Sequence, residues 1–508
     1  MALRLASPGI SVREVDLTRG GVDFTLNVVG GIAAPFAKGP CNEITRINNE
    51  NELVEVFGKP GVGTTDYHYE AWYSASNFLS YGGKLDVVRC VGGDLNTANV
   101  AVGLANTTLL LEGLEDYNNN QADDTNWYFA AKNPGHWAEN IKVAIIDNAA
   151  DQIITPTLET GTIAATKVGF GVTQALTGVT VGVGTTAAAT GILKGVVTGK
   201  TATTLDVKVV STVIGGTETL VDYQQNSQFE FKTGTMLNIV NNSGSTVGKS
   251  STITSVDWYN SQNILTSVAD GGTDFTTISW RSVLNKPKTN NYVSRRDGTN
   301  DALHVVVIDA SGGVTGDVGS VLEKFPNLSK AKDGEASGKE SIYYKDYLAN
   351  NSEYIFSGAH VTQADDSHHS TLILPGGFST GFTSITSAAG SWGQDAKNIK
   401  FSSIGNKGYS LTGGLDYTGV GVYDAPLGDI LTSYDKFADP VDSDIRFLLQ
   451  GGCSGSKEEE QAKANKLIQL AEGRKDCVAV ISPNRGSVVN VTDSAQQLTN
   501  VLSFFAPL

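Results

Sequence analysis

The sequence predicts a mixed α/β and α+β multidomain chain with a β-rich insertion, and three observations carry this prediction. Strands and helices alternate near both chain ends, in 21–92 and in 351–508. No proline lies between Pro156 and Pro287, where Thr, Gly and Val dominate. The chain has 508 residues, enough for about three domains of ordinary size.

The first α/β elements follow the opening 20 residues. Residues 22–34 have the pattern of a strand, and a short helix is predicted at 49–57. A second helix carries apolar residues at helical spacing over 71–79 and ends before Gly82. Residues 85–91 then predict a buried strand. Strand, helices and strand in this order are typical of an α/β layer.

The same order returns at the carboxyl end. Residues 444–450 and 477–481 are predicted strands. Between them, Ser456 and Glu459 have the spacing of a capping box, which predicts a helix to about Glu472. Its predicted inward residues are Ala464, Leu467, Ile468 and Ala471.

A final helix places four apolar residues at i, i+3, i+4 and i+7, namely Leu498, Val501, Leu502 and Phe505. Neither chain end alone supplies enough strands for a covered sheet. We therefore expect 21–92 and 351–508 to build one discontinuous α/β core domain.

The middle of the chain differs in kind. Strand-like runs separated by Gly, Asn and Ser turns predict a β-barrel or sandwich at 151–274, with strands at 205–210, 229–231 and 251–256. The flanking segments 93–150 and 275–350 contain further strands. They are predicted to form an inserted α+β domain from which the barrel projects.

Residues 1–20 are predicted to be an extended arm. Ile10 and Val12 alternate with Ser11 and Arg13 after the Pro8-Gly9 break. A lone strand leaves its backbone N–H and C=O groups without partners. If the arm does not fold back, its natural partner is the sheet of another copy, which makes an assembly protein the leading hypothesis.

Composition excludes several classes of function. The net charge is -16, so no basic field would attract nucleic acid. We expect no signal peptide and no membrane span, since no apolar stretch is long enough. The four cysteines, Cys41, Cys90, Cys453 and Cys477, form no C-x-x-C pair. They are interpreted as buried thiols rather than zinc ligands.

Two segments resemble phosphate-binding loops. Gly195–Thr201 and Gly244–Ser250 have three residues between their glycines, where a P-loop has four. Neither precedes a convincing helix, so both are interpreted as hairpin turns.

Two more segments contain residues that are typical of ligand sites. Residues 312–319 follow a strand but lack the G-x-G-x-x-G spacing, so a turn between strands is favoured. Asp365, Asp366, His368 and His369 include metal-ligating types, but adjacent residues rarely converge on one ion. A polar surface loop is favoured there, and no cofactor, metal or catalytic residue is expected.

The helix at 457–475 mixes acidic and basic residues. Its cations include Lys463, Lys466, Arg474 and Lys475. A solvated face is the favoured interpretation, and a docking surface that faces a partner or another subunit is the alternative.

Several segments, in the same order along the chain, resemble segments of the tail sheath proteins of contractile-tailed bacteriophages. The opening Ser7-Pro8-Gly9-Ile10-Ser11-Val12-Arg13-Glu14 is similar to the start of that family. Residues 133–143 are similar to its N-P-G-x-W-G-N segment. Further matches occur in order at 57–60, 78–83, 87–89, 353–356 and 474–483. The β insertion is not covered.

Two departures from the family pattern stand out. Ala138-Glu139 replaces the usual Gly-Asn. Members of the family usually continue with a long carboxyl-terminal region, whereas this sequence stops at Leu508. It is either a shortened sheath or a piece of a longer one, and we expect it to be monomeric on its own.

The resemblance implies a structural, non-enzymatic virion protein made in the host cytoplasm. It implies hexameric rings stacked around a tail tube, with the tube, baseplate and tail terminator proteins as partners, and contraction that drives the tube through the host envelope. The strand-exchanging arm residues would be Ser7, Pro8, Gly9, Ile10, Ser11, Val12, Arg13, Glu14 and Val15.

Two alternatives stay open. One is the sheath of a bacterial contractile injection or secretion system, which sequence physics does not separate from a phage sheath. The other is a cytosolic α/β nucleotide-dependent enzyme with a cofactor at 309–319.

Overall fold

The computed structural model describes residues 28–60, 69–92, 95–101, 108–121, 125–179, 189–241, 243–264, 278–361, 391–417 and 425–508. Within these residues the chain forms two compact units. The first unit holds the described residues up to 92 and those from Tyr417 onward, and the second holds those from 95 to 416. The prediction of a mixed α/β multidomain chain is confirmed.

The strands of the described residues are β1 (Val29–Ala34), β2 (Ile44–Ile47), β3 (Lys84–Arg89), β4 (Asn99–Ala101), β5 (Trp127–Ala131), β6 (Ile141–Asp147), β7 (Gln152–Thr160), β8 (Gly171–Val179), β9 (Ala189–Lys200), β10 (Leu205–Ile214), β11 (Thr217–Leu220), β12 (Leu237–Val240), β13 (Thr246–Asp257), β14 (Ala302–Asp309), β15 (Ser320–Ser329), β16 (Ile355–Ser357), β17 (Asn406–Ser410), β18 (Phe447–Leu449) and β19 (Val478–Val480). The α-helices are α1 (Glu50–Phe57), α2 (Tyr69–Ser80), α3 (Leu114–Asp116), α4 (Trp280–Val283), α5 (Asn291–Ser294), α6 (Tyr344–Asn351), α7 (Leu427–Tyr434), α8 (Lys457–Arg474) and α9 (Ser494–Phe505).

The first unit is built on a five-stranded sheet in the order β19-β18-β1-β3-β2. The first four strands are parallel, and β2 runs antiparallel to β3. The sheet therefore takes β1, β2 and β3 from the amino-terminal part of the chain and β18 and β19 from the carboxyl-terminal part.

The helix predicted at 49–57 forms as α1. The side chain of Asn49 accepts a hydrogen bond from the N–H of Glu52 at 2.9 Å, and so caps the helix. Gly58 ends it at φ 81°, a conformation that favours glycine. Helices α1 and α2 pack against one face of the sheet through Leu53, Phe57, Trp72, Ala75 and Leu79.

Two adjacent glycines let β1 pack closely on both faces. A Cβ on Gly30 would lie 2.8 Å from the ring of Phe78, which belongs to α2. A Cβ on Gly31 would lie 3.1 Å from Ile445 and 3.3 Å from Phe437. Because neighbouring residues of a strand point to opposite faces, the sheet is covered on both sides at β1, as parallel sheets usually are.

The predicted boundary at residue 351 differs from the structure. Strand β16 pairs with β5 and β17 pairs with β6, so the described residues of 351–416 belong to the second unit. The boundary depends on strand pairing between residues that are far apart in sequence, so the composition of the segment does not reveal it.

The second unit contains a four-stranded antiparallel sheet in the order β15-β14-β6-β17 and a three-stranded sheet in the order β16-β5-β4. Their shared core includes Phe129, Ile145, Val305, Tyr344 and Ile404, each at most 1% exposed.

A six-stranded barrel extends from this unit within the predicted insertion. Its strands close in the order β10-β7-β13-β12-β8-β9 and back to β10, with β11 added beside β10. The expected strands at 205–210 and 251–256 fall within β10 and β13.

The strand predicted at 229–231 is wrong. This segment is a strap whose Phe231 is fully buried in the barrel core. The Gln152 side chain donates to the Phe231 carbonyl at 3.1 Å and accepts from its N–H at 2.8 Å. Gln174 holds Lys232 in the same way. Side-chain amides therefore replace a strand partner, and Phe231 supplies the apolar anchor.

A buried ion pair fastens the second unit. Lys330 Nζ lies 2.7 Å from Asp147 Oδ2, and both side chains are 0% exposed. The ammonium also donates to the carbonyls of Ser402 (2.8 Å) and Asn300 (3.1 Å). Asp147 accepts from the N–H groups of Ile404 and Gly405 as well. The pair thus joins the end of β6 to the loop that precedes β17.

Candidate inter-subunit surface

The predicted strand-exchange residues, Ser7 to Val15, lie outside the described residues. The predicted basic residues of the 457–475 helix can be placed, because α8 is described throughout. The candidate inter-subunit surface consists of α8, β19 and α9.

Helix α8 begins as predicted. The Ser456 side chain accepts from the N–H of Glu459, and the Glu459 carboxylate accepts from the N–H of Ser456 at 2.7 Å. This is a complete capping box, and it satisfies two backbone donors at the helix start. The helix ends at Arg474, with Lys475 in a left-handed conformation at φ 62°.

The buried face of α8 contains a charged pair that the sequence prediction missed. Glu460 is fully buried and accepts from the Gln450 amide at 2.6 Å and from the N–H of Gly455 at 3.1 Å. Lys463, 3% exposed, lies 3.5 Å from Glu460 and donates to the Gly452 carbonyl. Of the predicted inward residues, Ala464 and Leu467 are buried, whereas Ile468 and Ala471 are partly exposed.

Arg474 is likewise used inside the fold. Its side chain is 1% exposed and lies 2.9 Å from the Asp476 carboxylate. It also donates to the carbonyls of Phe437 and Ser443, both at 2.7 Å. Hydrogen bonding to Arg474 lowers the pKa of Asp476. The guanidinium thus ties the end of α8 to the segment before β18.

The remaining two basic residues are nearer the surface. Lys466 pairs with Asp435, whose side chain is 54% exposed, and Lys475 is exposed. Burial of Lys463 and Arg474 removes those two from the accessible surface of this unit. A partner-facing role for Lys466 and Lys475 stays a prediction.

Apolar side chains are exposed along the last 31 residues of the chain. Leu498, Leu502 and Phe505 of α9 are 61%, 60% and 42% exposed, whereas Phe504 is fully buried. The apolar stripe expected on the final helix therefore faces away from its own unit. Residues 494–508 also contain no charged side chain.

Strand β19 forms one end of the five-stranded sheet. Val478 and Val480 are 60% and 45% exposed. The strand predicted at 477–481 forms as β19, and the structure places it at an edge of the sheet. Sequence periodicity identifies a strand and does not tell whether a neighbour lies on each side of it.

The Gly-rich loop between β18 and α8 occupies a place where nucleotides bind in other α/β sheets. Here its donors are taken by the chain's own carboxylates. Glu70 accepts from the N–H of Cys453 at 2.9 Å and also from the Ser454 hydroxyl. Glu460 accepts from the N–H of Gly455, and Glu459 accepts from the N–H of Ser456. An incoming phosphate would meet three carboxylates, so the loop is built to hold α8 in place.

The loop weighed as a dinucleotide site is also satisfied internally. The Asp309 carboxylate accepts from the N–H groups of Gly312, Val314 and Thr315 at 2.7–3.0 Å. The loop joins the antiparallel strands β14 and β15 and does not open a helix. The interpretation as a turn between strands is confirmed.

The two phosphate-loop near misses are only partly hairpin turns. Residues 195–200 lie within β9, and only Thr201 belongs to the turn into β10. Gly244 and Ser245 lie in the turn from β12 into β13, and residues 246–250 belong to β13. Neither segment opens a helix. The Asp365–His369 cluster lies outside the described residues. Among the residues that are described, no group of three or more His, Cys, Asp or Glu could hold a metal ion.

The cysteines are free thiols. Cys41 and Cys90 are buried, whereas Cys453 and Cys477 are partly exposed, so the expected burial holds for two of the four. Burial raises the pKa of Cys90 to about 12 and that of Cys453 to about 11. Both are therefore thiols at neutral pH, which disfavours nucleophilic chemistry. In the part of the chain that the structure covers, no helix combines the length and apolarity needed to cross a bilayer.

Comparison with known proteins gives two sequence relatives. The chain is 23% identical to the tail sheath protein of Enterobacteria phage T4 over 518 residues, which covers 98% of this chain and 65% of that protein. It is 34% identical to the tail sheath protein of Vibrio phage KVP40 over 104 residues, 20% of this chain and 14% of that protein. The chain thus spans less than two thirds of the length of either relative.

No protein-family model matches the chain. Among solved structures, the sheath tail protein Lin1278 from Listeria innocua matches at 12% identity, covering 45% of this chain and 34% of that chain, with a TM-score of 0.15. That TM-score is too low to carry a conclusion about the fold. Because both sequence relatives are tail sheath proteins and one similarity extends over 98% of the chain, the resemblance to bacteriophage tail sheath proteins is confirmed.

Proposed function

We propose that this chain is a structural subunit of a contractile phage tail sheath. It polymerises as stacked hexameric rings around the tail tube and contracts to drive the tube through the host envelope. The observation that carries the proposal is the similarity to the T4 tail sheath protein along almost the whole chain.

The mechanism needs linked bodies that stay folded while they move. Each unit has its own core, around Ile32 and Trp72 in the first and around Phe129 and Val305 in the second. The fully buried Lys330–Asp147 pair stiffens the second unit further. Rigid bodies of this kind can slide and rotate while the arms keep neighbours joined.

The arm, residues 1–20, supplies the link. Its alternating residues pair with the sheet of another copy by strand addition, in which main-chain hydrogen bonds give the affinity.

The barrel would project outward from the sheath, where an additional domain does not obstruct the contacts within the rings.

The energy for contraction is stored in the assembly. Subunits are assembled in a higher-energy arrangement and held there by a kinetic barrier. Shifting a two-state unit from 1:99 to 99:1 takes roughly 5.5 kcal/mol. Because the copies are coupled, a smaller gain in each subunit sums to substantial work along a sheath, and no nucleotide is consumed.

The proposed partners are other copies of the chain, the tube protein, and the baseplate and tail terminator proteins at the ends of the sheath. Lys466 of α8 and Lys475, which directly follows the helix, are two surface cations that could contact them. The protein would reside in the virion after assembly in the host cytoplasm.

Deletion of residues 1–20 tests the proposal. The deleted chain should keep the melting curve and circular dichroism of the full chain, because the core residues of the described part, such as Ile32, Trp72 and Val305, lie outside the deleted segment. It should fail to enter sheaths when it replaces the full chain in an infected cell, as scored by electron microscopy of the particles.

A matched variant separates the loss of the arm from a general defect. Val256→Asp changes an exposed barrel residue (52%) and should give sheaths of normal length. Normal-length sheaths from the arm deletion would contradict the proposed role of the arm.

A further inference from the structure

A lysine, an asparagine and an aspartate lie together where the barrel joins the rest of the second unit. Lys208 belongs to the barrel strand β10, whereas Asn148 and Asp151 belong to the short segment between β6 and β7. We propose that Lys208 Nζ forms an intramolecular amide (isopeptide) bond with the side chain of Asn148, and that Asp151 is the base that moves the proton. The proposal goes beyond the sheath function and does not depend on it, because all three residues belong to one unit of one chain.

The two reacting groups are in contact. Lys208 Nζ lies 3.2 Å from Asn148 Oδ1 and 3.2 Å from the backbone carbonyl oxygen of the same residue. Because a C=O bond is about 1.2 Å long, the Asn148 Cγ atom lies within about 4.4 Å of the amine. Reacting atoms need to approach to about 3–3.5 Å, so a movement of about 1 Å in either side chain is sufficient.

The carboxylate of Asp151 is fixed beside this pair. It lies 3.9 Å from Lys208 Nζ and accepts a hydrogen bond from the N–H of Val209 at 3.0 Å. The N–H of Asp151 in turn donates to the Val207 carbonyl at 2.9 Å. The backbone on both sides of Lys208 therefore holds Asp151 next to the amine, and a small rotation of the lysine brings the two groups within the reach that a general base needs.

The charges of the site favour the reaction. Asp151 also pairs with Lys286 at 2.9 Å, so two lysines share one carboxylate. Although burial raises the pKa of Asp151, the two lysines lower it overall, and the carboxylate is ionised and ready to accept a proton. Amide formation removes the charge of Lys208 and leaves Asp151 and Lys286 as a one-to-one pair.

The environment also favours the nucleophilic form of the lysine. Burial lowers the pKa of Lys208, and the charge of Lys286 lowers it further, against a partial opposing effect of Asp151. More of Lys208 is therefore neutral amine than in an exposed lysine, and only the neutral amine can attack a carbonyl carbon. The side chains of Lys208 and Asp151 are 23% and 8% exposed, which limits the access of water to the reacting atoms.

The reaction balances without any further reactant. Asp151 takes one proton from the Lys208 ammonium, and Nζ attacks Asn148 Cγ to form the new C–N bond. Asp151 passes its proton to the amide nitrogen of Asn148, and the bond between that nitrogen and Cγ breaks. The nitrogen leaves as an ammonium ion with the second proton that Nζ loses. An ammonium and a carboxamide thus give a secondary amide and an ammonium ion, and nothing is oxidised or reduced.

The bond would fasten the barrel to the four-stranded sheet of the same unit. The ladder between β10 and β7 contains three residue pairs, and hydrogen bonds of this kind can be pulled apart. Asn148 directly follows Asp147, which the buried Lys330 holds in place. Force on the barrel would then pass from β10 through covalent bonds to β6.

The intact mass of the purified full chain, measured by mass spectrometry under denaturing conditions, tests the proposal. We expect a mass that is lower than the mass calculated for the sequence by one ammonia. Because a succinimide at another asparagine gives the same loss, a protease digest must also contain a branched peptide that joins Lys208 to Asn148. The full calculated mass, a loss of water instead of ammonia, or the absence of the branched peptide would each overturn the proposal.

A pair of lysine variants locates the bond. Lys208→Arg keeps the positive charge and removes the reactive amine, so it should have the full calculated mass. Lys200→Arg is the matched control in the same barrel, because Lys200 donates to three backbone carbonyls, and it should keep the loss of ammonia. If the loss persists in Lys208→Arg, the bond lies elsewhere and the proposal is wrong.

A third variant tests the base. Asp151→Asn keeps the size of the side chain and should slow bond formation at least tenfold, when mass is followed against time in chains with unchanged circular dichroism. An unchanged rate would contradict the role of Asp151. The chain that lacks residues 1–20 should still form the bond, so a failure of this proposal is distinguishable from a failure of the proposed sheath function.

Discussion

The substitution Lys330→Met tests whether the buried ion pair holds the second unit together. The change removes the cation 2.7 Å from Asp147 and keeps a side chain of similar length. It leaves a carboxylate with two backbone donors, at 2.8 Å and 2.9 Å, in a site with no exposure. The carbonyls of Asn300 and Ser402 lose a donor at the same time.

The expected loss in the free energy of unfolding is set by the buried Asp147 carboxylate, which no longer has a cation beside it. Removing one partner of a buried pair destabilises proteins by about 3–5 kcal/mol. The double variant Lys330→Met with Asp147→Asn removes both charges and should recover at least half of that loss. Lys466→Met is the matched control, because its partner Asp435 is 54% exposed and surface pairs contribute about 0–1 kcal/mol.

Urea unfolding followed by tryptophan fluorescence measures the effect. Five of the six tryptophans lie in the second unit. The ring centroid of Trp392 lies 4.9 Å from Lys330 Nζ. The signal therefore reports mainly the transition of that unit, which is analysed separately because a chain with two units need not unfold in one step.

A loss below about 1 kcal/mol for Lys330→Met, equal to that for Lys466→Met, would refute this account. It would mean that the Asp147 carboxylate stays buried without its cation at little cost, and that this pair does not fasten the end of β6.

Three further predictions concern the protonation of His304, the burial of two leucines and the cap of α8. Burial lowers the pKa of His304 below its ordinary 6.5, so the unfolded chain binds a proton more readily than the folded chain does. The stabilisation by neutral His304 should therefore be complete above pH 6.5 and should decrease as the pH falls below it. His304→Gln should flatten this dependence when the melting temperature is measured against pH. Leu502→Ala should cost less than about 0.5 kcal/mol because the side chain is exposed, whereas Leu467→Ala, fully buried, should cost about 2–5 kcal/mol. Ser456→Ala removes the cap of α8 and should lower the free energy of unfolding of the first unit by about 1 kcal/mol.

Local signals were sufficient to predict α1, α2 and α8. The caps at Asn49 and Ser456 act within four residues of themselves, and the apolar spacing of 71–79 reports one packed face. These elements depend on contacts that are close in sequence, so a single sequence contains the information for them.

Long-range packing explains the errors. The β-like residues around Phe231 predict a strand, but the side chain of Gln152, 79 residues away, supplies its hydrogen-bond partners. The mixed charges of the helix favour a solvated face, yet the loop after β18 brings Gln450 to Glu460 and Gly452 to Lys463. A charge pattern along a helix does not show which loops will cover it.

The candidate surface was predictable only in part. The arm was identified by its alternation, and no feature of the sequence distinguishes the edge strand β19 from the interior strand β18 beside it. Both are short apolar runs, and their difference arises from strand order, which depends on the whole sheet.

A density map of the assembled sheath tests the central claim most directly. The account predicts that residues 7–15 lie as a strand on the sheet of a different copy. Density that placed those residues against the body of their own chain would contradict it.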